Sequence, residues 1–151
     1  QLLPELCSTV VQTYSVDDHI RLTCHTSGEI VLPVSKAVSV CLAVTELVTN
    51  ACKYAFATRD CGAINVTLQS KGDAVRIEVE DDGVGMPAPD PSPKKSGIGT
   101  ILVDSLAQSV GAVVKVETGA NGTKYVITFN RPPAERDFSS ALIAKRRNAA
   151  S

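Results

Sequence analysis

The sequence predicts an α/β (α+β) two-layer sandwich: one mixed, mostly antiparallel sheet with about three helices on one face. Three observations carry this. Apolar and polar residues alternate in several short runs, the two-residue period of a half-buried strand. Those runs arrive in pairs, two of them joined by turn residues, Lys71-Gly72-Asp73 in one and Gly119-Ala120-Asn121-Gly122 in the other. Longer stretches with a helical period separate the pairs.

The elements follow in order. Leu3, Leu6, Cys7, Val10 and Tyr14 recur at helical spacing. "HIRLTCH" puts Ile20, Leu22 and Cys24 on one face and reads as a strand. "EIVLP" reads as a short second strand, after which Ser35 is the expected N-cap of a long helix over roughly 35–56. "AINVTLQ" alternates through Ile64, Val66 and Leu68, and "AVRIEVE" through Val75, Ile77 and Val79. A Pro- and Ser-rich loop covers 87–96, a helix follows over about 98–110, and "VVKVET" and "KYVITF" close the pattern as strands. The tail from Arg131 opens with "RPP" and carries five basic and two acidic residues. The expected organisation is a linker or helix end over 1–16, one domain over 17–130, and a basic tail over 131–151.

The totals narrow the function classes. A chain of 151 residues suits one domain with its own core. A net charge of −1 gives no general attraction to nucleic acid, and the absence of Trp leaves little for base stacking. No apolar run approaches the ~18 residues of a membrane span. The five cysteines form no C-x-x-C pair, so reduced, mostly buried thiols in a cytoplasmic protein are expected, without a zinc site. A chain that begins with Gln is expected to be a piece of a longer protein.

Three constellations carry possible chemistry. In "EDDGVGM" the apolar phase of Val75, Ile77 and Val79 continues to Asp81, not Asp82. A carboxylate turned toward the core needs a partner, and Gly83 and Gly85 allow close approach of backbone to a bound group. On the long helix, Glu46, Asn50, Lys53 and Tyr54 fall within about 100° of one another at helical rotation. Val44, Leu47, Val48, Ala51, Cys52 and Ala55 surround them, which a solvated helix face would not show. An amide oxygen can ligate Mg²⁺, a lysine can neutralise phosphate, and a glutamate can take a proton or orient water. "GIGT", Gly97 to Thr100, opens a helix whose N-terminus favours anions. A purine nucleotide with magnesium satisfies all three.

"ELVTNACKYAF", "DDGVGMP", "GIGTILVDSLAQSVGA" and "GTKYVITF" together resemble the N box, G1 box, G2 box and last strand of the GHKL ATPase superfamily. With "IRLTCH" and "EIVLPVSKAVSV" upstream, the chain is most similar to the ATP-binding catalytic domain of bacterial sensor histidine kinases, in the branch near the HWE kinases. The resemblance implies a Bergerat-type fold that binds ATP and Mg²⁺. It implies that Asp81 accepts from the adenine amino group, that Asn50 ligates the metal, and that Glu46 and Lys53 are catalytic. Lys53 would also contact phosphate, and Tyr54 the nucleotide. Gly83, Gly85, Gly97, Ile98, Gly99 and Thr100 would shape the nucleotide site and its lid, with Lys94 and Lys95 in the lid and Thr123 near the base.

The implied partners are a histidine-containing dimerisation domain of the same protein and the receiver domain of a response regulator, in a full-length homodimer. His19 and His25, the only histidines, flank or lie in a strand, so the phosphoacceptor is expected outside this chain. Two alternatives compete: an anti-sigma-type serine kinase with Glu46 as base, and a non-catalytic ATP-binding regulatory module. The strand pair expected before Ser35 argues against the first, and the presence of Glu46, Asn50 and Asp81 against the second.

Overall fold

The computed structural model describes residues 5, 8, 9, 12, 19–28, 30–56, 58, 61–86, 103–105 and 108–131. Five strands form one sheet: β1 (Ile20–Ser27), β2 (Gly62–Lys71), β3 (Ala74–Asp81), β4 (Val113–Gly119) and β5 (Gly122–Asn130). Their spatial order is β1-β2-β3-β5-β4. β1 and β2 run parallel, and the other three pairings are antiparallel. A parallel pair cannot be closed by a tight turn. The crossover is supplied by α1 (Val34–Asn50) and a π-helical turn, Ala51–Ala55. β2–β3 and β4–β5 are hairpins with loops of two residues, as the turn residues predict.

The alternation read from sequence holds in the packing. Ile64, Val66, Val75, Ile77, Val79, Ile127 and Phe129 are buried on one sheet face. Against them lie Val40, Ala43, Val44, Leu47 and Val48 of α1, with Ala51 and Ala55 of the π turn. Val103 and Val110, both in helical residues, join the same cluster. Each fully buried Val, Leu or Ile contributes about 1.5–3 kcal/mol relative to exposure, so this layer holds the helix to the sheet. The expected two-layer sandwich with a mixed sheet is the observed one.

Four expectations change. "EIVLP" is not a strand: residues 30–33 are irregular, and among the described residues one strand, not two, precedes α1. Pro33 removes a ladder donor, and its carbonyl is used to start α1. The argument against a serine kinase that rested on a strand pair falls with it. Ser35 is not the N-cap; Pro33 is, its carbonyl accepting from the Ala37 amide at 2.9 Å with no side-chain cap. The helix is not α throughout 35–56, because α-geometry gives way to the π turn after Asn50. The described cysteines are free thiols, but Cys24, Cys41 and Cys52 are only partly buried and Cys61 is exposed. Cys52 is the most shielded of those with a shift, and burial pushes its thiol up to about 11.

By length and composition alone the helical residues Val34–Ala55 would suffice to cross a membrane, with an 18-residue stretch of mean hydropathy 1.3, a test that a helix packed on a core also passes. Their apolarity is used on the sheet along one face. Ser39, Thr45 and Thr49 satisfy their hydroxyls on carbonyls four residues back, which lets polar residues sit in an apolar helix.

Candidate nucleotide-binding site

The carboxyl end of β3 organises the site. Asp81 pairs with Ile64 on β2 and with Thr123 on β5, and Thr123 pairs with Thr118 on β4. These four residues form one row across the sheet, on the helix-covered face. Ile64 is fully buried, Thr123 is 6% exposed and Asp81 is half-buried. The phase argument from sequence therefore places Asp81 correctly and separates it from its neighbour. Asp82 is exposed and closes the strand pair: its amide donates to the Ala63 carbonyl at 3.2 Å, and Ala63 N donates to Asp82 Oδ1 at 2.8 Å.

Asp81 makes no comparable edge contact. Its Oδ1 accepts from the amides of Gly83 at 3.0 Å and Thr123 at 3.3 Å. Among the described residues Oδ2 receives no bond. Burial pushes the Asp81 carboxyl above its ordinary value, the two amides pull it down, and the charges of Asp82 and Glu80 push it up again; the net direction is up. Tyr125, in the same phase of β5, is raised by burial and by the charge on Asp81. A half-buried acid with one oxygen fixed by backbone and the other open is suited to accept from a ligand donor.

The N-terminal half of the site comes from α1. Glu46 and Asn50 lie one turn apart, both half-buried. After Asn50 the π turn changes the rotation per residue, so the helical stripe expected from sequence does not simply continue. Lys53 and Tyr54 are exposed, Tyr54 at 67%. Glu46 and Asn50 offer only oxygen ligands, the chemistry a magnesium ion takes. Among the described residues no three His, Cys, Asp or Glu side chains cluster as a metal cage.

A short segment after β3 ties these two parts together. Val84 N donates to the Ala55 carbonyl at 2.9 Å, at the end of the π turn. Gly83 is required there, because a Cβ would stand 2.3 Å from the Ala55 oxygen and 2.5 Å from its Cβ. Gly85 has φ +74°, and a Cβ would stand 2.0 Å from the Gly119 carbonyl of the β4–β5 turn. Met86 N donates to Thr118 Oγ1 at 2.7 Å, and Tyr125 OH reaches Met86 Sδ at 3.5 Å. Residues 83–86 are thus wedged between the helix end and the second hairpin.

Asp81, Gly83, Gly85 and Thr123 come together as expected, and Glu46 and Asn50 share one helix face. Lys94, Lys95, Gly97, Ile98, Gly99 and Thr100 lie outside the described residues. Thr118 and Tyr125 were not singled out from sequence. The signal for both is register: once "GANG" closes a hairpin, Thr118 faces Thr123, and Tyr125 repeats the phase of Thr123.

A mixed five-stranded sheet with a helical layer on one face, and an acid closing its central strand, defines the Bergerat-type ATPase sandwich. The family profile described as "Histidine kinase-like ATPase domain" matches residues 15–129, and the chain belongs to that family, among the GHKL ATPases of sensor histidine kinases. It is 32% identical over 117 residues to blue-light-activated histidine kinase 2 of Erythrobacter litoralis, covering 77% of this chain. The chain spans about a third (32%) of that relative's length. Among solved structures it resembles the histidine kinase domain of the Erythrobacter litoralis EL346 blue-light-activated kinase, with a TM-score of 0.75 and 29% identity. That match covers 85% of this chain and 58% of the other. The Acinetobacter baumannii histidine kinase AdeS shares the fold alone, at a TM-score of 0.68 and 13% identity over 85% of this chain and 63% of its own. The family gives the chain the general role of an ATP-binding kinase domain.

Proposed function

We propose that this chain binds Mg-ATP and donates the γ-phosphoryl group to a histidine in a dimerisation domain outside residues 1–151. In the full protein, a homodimer acting in the cytoplasm, the phosphoryl group passes on to the receiver domain of a response regulator. The observation that carries the reading is Asp81: a half-buried carboxylate at the end of the central strand, oriented by two amides through Oδ1, with no bond to Oδ2 from the described residues. Adenine offers an exocyclic amino group to that oxygen, whereas guanine offers a carbonyl at the same position. Names of the relatives favour histidine over serine as the acceptor.

In this reading Asp81 binds the base and Thr123 lies beside it. Asn50 would hold magnesium through its amide oxygen, and Lys53 would reach the phosphates from the helix end. Bound magnesium would neutralise charge on the phosphate oxygens. Glu46, one turn before Asn50, would orient or accept a proton near the transferred group. Catalysis by these residues is mostly positioning.

Asp81→Asn tests the reading. An asparagine keeps an oxygen for the two amides but presents a donor to the base. ATP affinity should fall by roughly ten- to a hundredfold, the loss of one charge-assisted bond, and the preference for adenine over guanine should relax. Calorimetry with ATP and GTP on both forms reads this directly. Unchanged affinity together with unchanged base preference would make Asp81 a structural carboxylate and end the nucleotide reading.

A further inference from the structure

The hydrogen bonds at Asp81 do not stop at Thr123. Thr123 Oγ1 lies 3.1 Å from Thr118 Oγ1, and Thr118 Oγ1 also accepts from the Met86 amide at 2.7 Å. Thr118 therefore joins three things: the backbone just after Gly85, the second hairpin, and Thr123, a buried polar side chain beside Asp81. We propose that Thr118 is a positioning residue for the nucleotide base, which makes the Thr123 hydroxyl a donor toward a purine ring nitrogen. This rests on the adenine reading above.

The argument is one of proton count. A hydroxyl has one proton and two lone pairs. Thr118 spends one lone pair on the Met86 amide, and its proton can go to Thr123. Thr123 then has its own proton left to give. A purine that donates its amino group to Asp81 presents, next to it, the ring nitrogen N1, which has no hydrogen and can only accept. Binding selects the arrangement in which Thr118 donates to Thr123 and Thr123 donates to the ring. Each bond in such a chain polarises the next. Without the Thr118 hydroxyl, the Met86 amide loses its acceptor, and Thr123 loses the donor that fixes its direction.

Thr118→Val keeps the branched shape and strand preference while removing the hydroxyl. Thr118→Ser restores the hydroxyl with less bulk. With the full chain, calorimetry should show a roughly three- to tenfold weaker binding of ATP by Thr118→Val, the effect of one neutral hydrogen bond. Thr118→Ser should return close to wild type. The 1-deaza analogue of ATP, which carries C–H in place of N1, should bind wild type and Thr118→Val alike. A merely structural role would weaken both ligands equally, and that result would overturn the proposal, as would wild-type ATP affinity in Thr118→Val. Failure of the wild-type chain to bind adenine nucleotide would instead overturn the nucleotide reading, and this role with it.

Discussion

Two carboxylates three residues apart on β3 live under opposite rules. Glu78 points to the outer face, where Arg76 bonds one of its oxygens and Lys124 Nζ stands 3.3 Å from the other. Burial alone would raise its carboxyl, but the hydrogen bonds and charges of Arg76 and Lys124 outweigh this and hold it below its ordinary value. Asp81 points to the helix-covered face, receives only backbone amides among the described residues, and is held above its ordinary value by burial. The first acid is satisfied by the protein and is part of its surface. The second is kept only half satisfied, which is the state expected of a group reserved for a ligand.

The largest expected effect would break the wall beside Asp81. Gly83→Ala puts a methyl into the Ala55 backbone, so the Val84–Ala55 bond and the Gly83–Asp81 bond cannot both survive. Overpacking of this kind costs about 1–3 kcal/mol, read as a lower urea midpoint, and nucleotide affinity should drop with it. A wild-type midpoint would show that the helix end moves freely away from the strand.

Glu78→Gln sharpens the other side. Glu78 itself is only 20% exposed, but its partners Arg76 and Lys124 reach solvent, so the ion pairs are partly screened and their loss should cost about 1 kcal/mol. A lowered carboxyl stabilises the fold above its ordinary value of 4.5, and that contribution disappears as pH falls through the folded value. Wild type and Glu78→Gln should therefore differ at neutral pH and converge in acid, with nucleotide binding the same in both. A drop in nucleotide affinity would join the two faces of β3 in a way the bonding does not suggest.

The smallest effect has the opposite sign. A raised carboxyl favours the fold below its ordinary value of 3.8, and that contribution is lost as pH rises through the folded value. Asp81→Asn should leave the ligand-free fold at neutral pH as stable as wild type or slightly more so. Thermal midpoints without nucleotide, measured from acid to neutral pH, check it. A clear loss of stability at neutral pH would mean that Asp81 is held for the fold's own sake.

The contrast between the two acids was half legible in the sequence. A period of two separates Asp81 from Glu78 and Asp82, so the face of each acid could be read directly. Strand pairing could not. Alternation is the same in parallel and antiparallel neighbours, and so "EIVLP" was given to a first hairpin when β1 in fact pairs parallel with β2 through α1. The π turn was also invisible, because Ala51 to Ala55 contains no Gly or Pro to mark it. It changes the rotation per residue just where Lys53 and Tyr54 follow Asn50, so regular helical rotation does not carry over to them. Thr118 needed the register of the last hairpin before it could be seen beside Thr123. What composition and spacing supplied was the set of chemical groups; which of them share a wall depended on contacts distant in sequence.

The bond from Val84 to the Ala55 carbonyl also bears on how such a chain can change over time. It joins the end of the helix to the segment after β3 across the whole of β2 and β3 in sequence, and it works only because Ala55 is small and residue 83 has no side chain. The two positions are a matched pair in volume: growth at either must be answered by shrinkage or displacement at the other. Neither the glycine-bearing segment after β3 nor the helix end can be exchanged without its counterpart.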